Sequence, residues 1–230
     1  CPFPVISITG TRGKSTTTAL LGEMLKQDNP KTVIAGNITR SPLEDLDWIL
    51  KETQPVPIIL EMSSWLLESV ENIDVGPDIA ILTNAFKDHL DRYDSFDHYI
   101  QAKKMIFKSQ SENQIAILNA DQAITDDIVK DVVTKKVYYF SNKPLKDGMF
   151  GAYLDSNIIK LKFKDEEHEI ASVSDINIKG DHNVVNALSA SLAAYFSGIK
   201  NDQIKKALGS FSGLPGRQEV VSEVNDVLYV

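Results

Sequence analysis

The sequence predicts an α/β fold, a doubly wound, mostly parallel P-loop sheet flanked by helices, with a small antiparallel sheet on one flank. Three observations predict it. Short apolar runs alternate with helical patterns from Phe3 to Phe140, as parallel βα units require. A glycine loop, Gly10-Thr11-Arg12-Gly13-Lys14-Ser15-Thr16, separates the first apolar run from the first helical pattern. After Gly148 the texture changes to short strand-like runs divided by turn residues, the pattern of a meander.

The elements follow in order. Phe3 to Ile8 is an apolar strand, and Leu20, Leu21, Met24 and Leu25 carry the helix after the loop. Thr32 to Ala35 is a short buried strand ending at Gly36-Asn37. Ser41-Pro42 has the cap-plus-first-residue pattern of a helix running through Leu43, Leu46 and Ile49. Pro57 to Met62 is a strand with Glu61 at its end, followed by Ser63-Ser64 and a helical turn from Trp65. Asp78 to Thr83 is the fourth strand and leads into Asn84 and Lys87-Asp88-His89-Leu90-Asp91-Arg92. Ser95 caps a helix through Phe107, Ile115 to Leu118 is the fifth strand, and Val137 to Phe140 the sixth. Phe150–Leu154, Ile158–Phe163 and His168–Val173 form the meander. Gly180-Asp181-His182-Asn183 opens a helix to about Phe196, Asn201-Asp202 another to Leu208, and strand returns from Glu219.

Composition narrows the function. The 230 residues are 43% hydrophobic and 24% charged, as in ordinary globular proteins. Net charge is −8 with no long basic block, which argues against a nucleic-acid face. The single cysteine, Cys1, excludes an internal disulfide and a Cys-based zinc site. No apolar run approaches the ~20 residues of a membrane span and no signal-peptide pattern is present, so a cytoplasmic protein without membrane partners is expected. Both ends look cut: a strand begins almost at Cys1, and Val227 to Val230 is a strand-like run with nothing after it.

The glycine loop carries the first chemistry. Backbone N–H groups and a helix N-terminus can face an anion, Lys14 can reach the outer phosphates, and Ser15 can hold Mg²⁺. Position 8 is Ile where a Walker loop has its first Gly, which leaves the shorter Thr-Gly-Thr-x-Gly-Lys-Ser-Thr; the alternative is a plain glycine turn with Lys14 solvated. Because ligands bind at the carboxyl ends of strands in such sheets, Lys14, Asn37, Glu61, Asn84, His89 and Asn119 are candidate site residues. Glu61 can complete a Mg²⁺ shell begun by Ser15. His89, between two Asp residues, is either a metal or phosphate contact or a locally bonded side chain.

Phe96, Tyr99, Ile100, Lys103 and Phe107 share one helical face, so Lys103 points toward the body of the protein. An inward Lys needs a partner or a modification, or else it snorkels at the edge. Asn183 and Asn186 lie on adjacent turns and could read a nucleobase edge, with helix capping the alternative for Asn183. Arg217, after Gly213-Leu214-Pro215-Gly216, could reach a phosphate or remain a surface residue.

Together these pieces resemble the Mur ligase family, which builds the peptide stem of bacterial cell-wall precursors. The matching segments are Thr9 to Thr16, Thr83-Asn84 with Asp88-His89-Leu90-Asp91, Gln101-Ala102-Lys103, Leu118-Asn119-Ala120-Asp121, Asp181 to Ala187 and Gly213 to Arg217. They stand in family order over nearly the whole chain. Within the family, Gly36-Asn37-Ile38 and Glu61-Met62-Ser63-Ser64-Trp65-Leu66-Leu67-Glu68 are similar to the members that add D-glutamate to UDP-N-acetylmuramoyl-L-alanine. Thr39-Arg40 follows where those members usually carry Gly.

The resemblance implies a central ATP-binding domain over residues 1–214, with the antiparallel insert at about 148–174. Residues 215–230 would be a hinge and the first strand of a C-terminal domain, and an N-terminal UDP-binding domain would be missing. It implies residue roles as well. Gly10, Thr11, Arg12, Gly13, Lys14, Ser15 and Thr16 would hold the ATP phosphates, with Ser15 and Glu61 on one Mg²⁺. His89 and Lys103 would serve a second Mg²⁺, Lys103 as a carbamate. Asn183 and Asn186 would contact adenine, Arg217 the phosphates, and Asn37, Ser63 and Ser64 the substrate. Lys14, Glu61, His89 and Lys103 would be catalytic, in a monomer acting on small molecules.

Overall fold

The apolar runs become the strands of one nine-stranded sheet in a computed structural model that describes residues 3–37, 40–87, 92–215, 222–224 and 227–229. The strands are β1 (Val5–Thr9), β2 (Val33–Gly36), β3 (Ile58–Glu61), β4 (Ile79–Leu82), β5 (Ile115–Asn119), β6 (Lys136–Ser141), β7 (Gly151–Asp155), β8 (Ile158–Lys162) and β9 (Glu167–Ser172). Their order is β2-β3-β1-β4-β5-β6-β7-β8-β9. Pairing is parallel from β2 to β7 and antiparallel over β7-β8-β9. The expected meander forms, but it is the far edge of the main sheet: Tyr139, Phe140 and Ser141 pair with Gly151, Ala152 and Tyr153. Strands β10 (Ser222–Val224) and β11 (Val227–Tyr229) form a separate antiparallel pair.

The helices are α1 (Lys14–Lys26), α2 (Leu46–Ile49), α3 (Ser64–Ser69), α4 (Phe96–Lys108), α5 (Thr125–Val129), α6 (Asp181–Phe196) and α7 (Asn201–Ser210). Alternate strand residues point to opposite faces, and the core divides accordingly. Ile6, Ile8, Ile59, Ile81 and Ile117 meet Leu20, Leu21 and Met24 of α1, together with α6 and α7. Ala80, Leu82, Ala116 and Leu118 meet Leu67, Ile100, Phe107 and Ile128 of α3, α4 and α5. Full burial of each large aliphatic side chain contributes about 2 kcal/mol, so the long α1 and α6 are fixed mainly by this packing.

One expected helix covers its predicted residues but opens with a tighter winding. From Ser41 the chain makes a 3₁₀ turn, Pro42–Asp45, that runs into the single turn of α2. Ser41 and Glu44 still cap it reciprocally, Ser41 N–H donating to Glu44 Oε1 at 3.1 Å. Asp45 ties the segment down by accepting from Trp48 Nε1 at 2.8 Å and pairing with Arg40.

Candidate phosphate-binding site

The glycine loop leaves the carboxyl end of β1 and turns into α1, whose first N–H groups have no partner within the helix. It is held from the β4 side. Asn84 Oδ1 accepts the Arg12 N–H at 2.9 Å and Asn84 Nδ2 donates to the Arg12 carbonyl at 3.0 Å. Thr83 Oγ1 donates to the same carbonyl at 2.7 Å, and the Thr11 N–H donates to the Asn84 carbonyl at 3.0 Å. Asn119 at the end of β5 donates to the Thr83 carbonyl at 2.9 Å, extending the brace one strand further. Gly10 is required where the loop passes under this brace: a Cβ there would lie 1.9 Å from Thr83 Oγ1. Lys14 Nζ lies back over the loop, donating to the carbonyls of Gly10 (3.0 Å) and Thr11 (3.2 Å). Ser15 is buried, Thr16 half-buried, and the Arg12 side chain faces solvent.

Glu61 is delivered to the loop by strand register, since Ile8 pairs with Glu61 and the Met62 N–H donates to the Ile8 carbonyl at 2.8 Å. Its side chain is 2% exposed. Oε1 accepts from Asn37 Nδ2 at 3.3 Å, and Oε2 has no hydrogen-bond partner among the described residues. A buried carboxylate oxygen without a donor is costly. A hard divalent cation removes that cost, and a carboxylate oxygen is the kind of donor that suits it. Among the described residues no group of three His, Cys, Asp or Glu forms a complete metal cage.

Lys103 is inward, as its helical spacing predicts, at 1% exposure with Nζ 4.4 Å from the Tyr99 ring centre. It shares a cavity of about 200 Å³ with Gly10, Lys14, Asn37, Ser63, Ser64, Trp65 and Tyr99. Six of these eight residues were expected in the site from sequence. Ser63 is also the cap of α3, its Oγ accepting the Leu66 N–H at 3.2 Å. A larger cavity of about 270 Å³ behind α3 and α4 is lined mainly by apolar side chains. Of its polar side chains, Asp78 is engaged with the Val5 N–H, Ser109 with the Ile73 carbonyl and Gln114 with the Gly76 carbonyl, so it offers no comparable convergence.

Asn183 and Asn186 approach the loop from α6. Asn186 Nδ2 donates to Asn183 Oδ1 at 3.2 Å, Asn183 Nδ2 donates to the Lys179 carbonyl at 2.8 Å, and Thr17 Oγ1 donates to Asn186 Oδ1 at 3.4 Å. A Cβ at Gly13 would lie 2.3 Å from Asn186 Oδ1. In this structure Asn186 braces the loop from behind. His89 and Arg217 lie outside the described residues.

Sequence reasoning passed over three residues. Thr83 read as a strand end, Trp65 as the start of a helical turn and Tyr99 as part of an apolar face. A signal was available for Tyr99, one turn before an inward Lys, because a buried phenol needs a hydrogen-bond partner.

A strand, glycine loop and helix at the centre of a doubly wound sheet, with an acid at the end of the neighbouring strand, define a P-loop-type α/β domain. A profile of the Mur ligase middle domain matches residues 8–194, and the chain belongs to the Mur ligase family. It is 38% identical over 226 residues to a UDP-N-acetylmuramoylalanine–D-glutamate ligase of Thermoanaerobacter sp. (strain X514), covering 98% of this chain and 48% of the relative. To the protein of the same name from Roseiflexus sp. (strain RS-1) it is 35% identical over 235 residues, covering 100% and 50%. The chain therefore spans about half the length of these relatives. Among solved structures it is similar to MurF from Acinetobacter baumannii, with a TM-score of 0.75 and 20% identity over 98% of this chain and 49% of that one. A UDP-N-acetylmuramoyl-L-alanyl-D-glutamate–2,6-diaminopimelate ligase gives a TM-score of 0.72 and 22% identity, covering 97% and 49%. At those identities the likeness speaks for the fold. Among the described residues no helix is long and apolar enough to cross a membrane.

Proposed function

We propose that the whole protein is an ATP-dependent ligase that adds D-glutamate to UDP-N-acetylmuramoyl-L-alanine, and that residues 1–214 are its ATP-binding domain. The observation that carries this reading is the cavity in which Gly10 and Lys14 of the loop meet Asn37, Ser63, Ser64 and Lys103. Relatives 33–38% identical bear the name of that activity. The Gly36-Asn37 and Glu61-to-Glu68 segments support the same choice of amino acid over other members of the family. The uridine-binding and amino-acid-binding parts are assigned to the remaining half of the relatives' length. Residues 215–230 are assigned to a hinge and the start of the part that closes on ATP.

In this reading the terminal carboxylate of the substrate attacks the γ-phosphorus of ATP. The bond from that phosphorus to the bridging oxygen breaks, leaving ADP and an acyl phosphate. The amine of D-glutamate then attacks the acyl carbon; phosphate leaves and the amine gives up a proton. Little covalent work falls to the protein, which positions reactants and offsets charge. Loop N–H groups and Lys14 hold the phosphates, Lys14 leaving its bonds to the loop carbonyls to do so. Ser15 and Glu61 would hold one Mg²⁺, and His89 with a carbamate of Lys103 a second; these ions supply charge neutralisation at the transferring phosphoryl group. Asn183 and Asn186 serve the adenine end, Arg217 the phosphates from the hinge side, and Asn37, Ser63 and Ser64 the muramoyl substrate. The enzyme is assigned to the cytoplasm as a monomer, with no nucleic-acid partner.

Lys14→Ala in the full-length enzyme tests this, with turnover expected to be nearly abolished and retained activity refuting the role of the loop. Offering UDP-muramoyl-alanine with D-glutamate against the substrates of other Mur ligases and of folate polyglutamation tests the substrate. Residues 1–230 alone should bind ATP weakly and form no amide bond.

A further inference from the structure

We propose that Tyr99 is a positioning residue that fixes the phosphate loop relative to Lys103. The proposal rests on the reading that Lys103 acts at the nucleotide phosphates. Helix α4 carries both residues on one face, one turn apart, so their spacing is set by the helix itself. Tyr99 is 1% exposed and points in two directions at once. Its hydroxyl is 3.1 Å from Thr11 Oγ1 in the glycine loop, and its ring face lies 4.4 Å from Lys103 Nζ.

Packing holds the ring in that position. Tyr93 and Phe96 stand against it at centroid distances of 5.2 and 6.4 Å. A phenylalanine would fill the same space, so the hydroxyl is not needed to build the core. Its hydrogen bond goes to a loop 88 residues away in sequence. Thr11 is well placed to pass the constraint on, because its Oγ1 also accepts the Phe86 N–H at 3.0 Å and its own N–H is held by the Asn84 carbonyl. Tyr99 therefore joins the phosphate cradle to the buried lysine, whereas Thr83 and Asn84 join the cradle to β4 and, through Asn119, to β5. A shift of the loop away from Lys103 would have to break the Tyr99–Thr11 bond. Alignment within a fraction of an ångström is what phosphoryl transfer draws its rate from.

The test uses the full-length enzyme with ATP as the varied substrate. Tyr99→Phe should lower kcat about tenfold with KM for ATP changed by less than about threefold, since backbone N–H groups still bind the phosphates. In a Thr11→Val background the same change should cost under about twofold, because the bond is already gone. Thr11→Ser, which keeps the hydroxyl, should restore the roughly tenfold sensitivity to Tyr99→Phe, and it gives a usable background even if Thr11→Val is too slow to measure. A wild-type kcat in Tyr99→Phe overturns the proposal, and so does an equal loss in all three backgrounds. Lys103→Ala in the same assay checks the underlying reading: retained turnover overturns the role of Lys103. An inactive Lys103→Ala with a background-independent Tyr99→Phe loss overturns only the bridge.

Discussion

Gly36→Ala is a sharp perturbation, because it acts on Glu61 without touching its side chain. Gly36 has φ +99°, and a Cβ there would sit 2.3 Å from the Glu61 carbonyl oxygen and 3.0 Å from its nitrogen, both backbone atoms. Opening the first contact to an ordinary 3.4 Å moves β2 about 1 Å from the end of β3. That breaks the 2.9 Å bond from the Asn37 N–H to the Glu61 carbonyl. Left-handed strain of about 1–2 kcal/mol and a lost hydrogen bond of about 1 kcal/mol sum to about 2–3 kcal/mol. Gly148→Ala is the control: φ is +80° and no atom lies within 4 Å of its Cβ, so only the strain remains. At about 2–4 °C per kcal/mol for a chain of this size, Gly36→Ala should melt about 4–12 °C lower and Gly148→Ala about 2–8 °C lower. Differential scanning calorimetry reads the difference, and titration of ATP binding with Mg²⁺ reads its functional side, where only Gly36→Ala should need more Mg²⁺. Equal melting shifts and equal Mg²⁺ dependence in the two variants would refute the reasoning.

Three further outcomes are expected. Glu61→Gln should raise the melting temperature of the ligand-free protein, because a neutral amide replaces a buried carboxylate with an oxygen left without a donor, while Mg²⁺-dependent ATP binding is lost; a lowered melting temperature argues against a metal-poised carboxylate. Asn84→Ala removes both bonds to the Arg12 backbone and should weaken ATP binding about tenfold, measured by calorimetry, with secondary structure unchanged by circular dichroism. Burial and the bond to the Glu167 carboxylate push the Tyr153 hydroxyl up to about 12, so the fold favours its protonated form. That contribution is complete below the free phenol's value near 10 and is lost as pH rises from there to about 12; Tyr153→Phe should flatten this alkaline decline in chemical denaturation.

The sheet was legible because its strands are short, apolar and separated by helical periods, and every one of the first six was found at its place. What the meander joins was not legible, since three half-polar strands read the same whether they stand apart or pair with Tyr139-Phe140-Ser141. The helix after Ser41 ends at Ile49 as expected, but its opening as a 3₁₀ turn was not legible, because the same cap signals serve either winding. At the site, residues with a chemical reason to be unusual were visible: Lys14 after glycines, Glu61 ending a strand, Lys103 on an apolar face. Residues that act by holding others were not. Thr83 and Tyr99 are ordinary by type and position, and their part is fixed only by which loop the fold brings against them. Asn186 was visible but its present partner was not, because nothing local connects it to Gly13 or Thr17.

The bond from Thr17 to Asn186 spans 169 positions. On a ribosome, α1 is made well before α6, the helix that packs against it. At about 5–20 residues per second, α1 waits roughly 8–34 s for α6 to be synthesised. During that time Leu20, Leu21 and Met24 lack much of the surface that buries them. The nascent chain should therefore be a client for factors that shield apolar segments, and its nucleotide loop should stay unbraced from behind until translation passes residue 186.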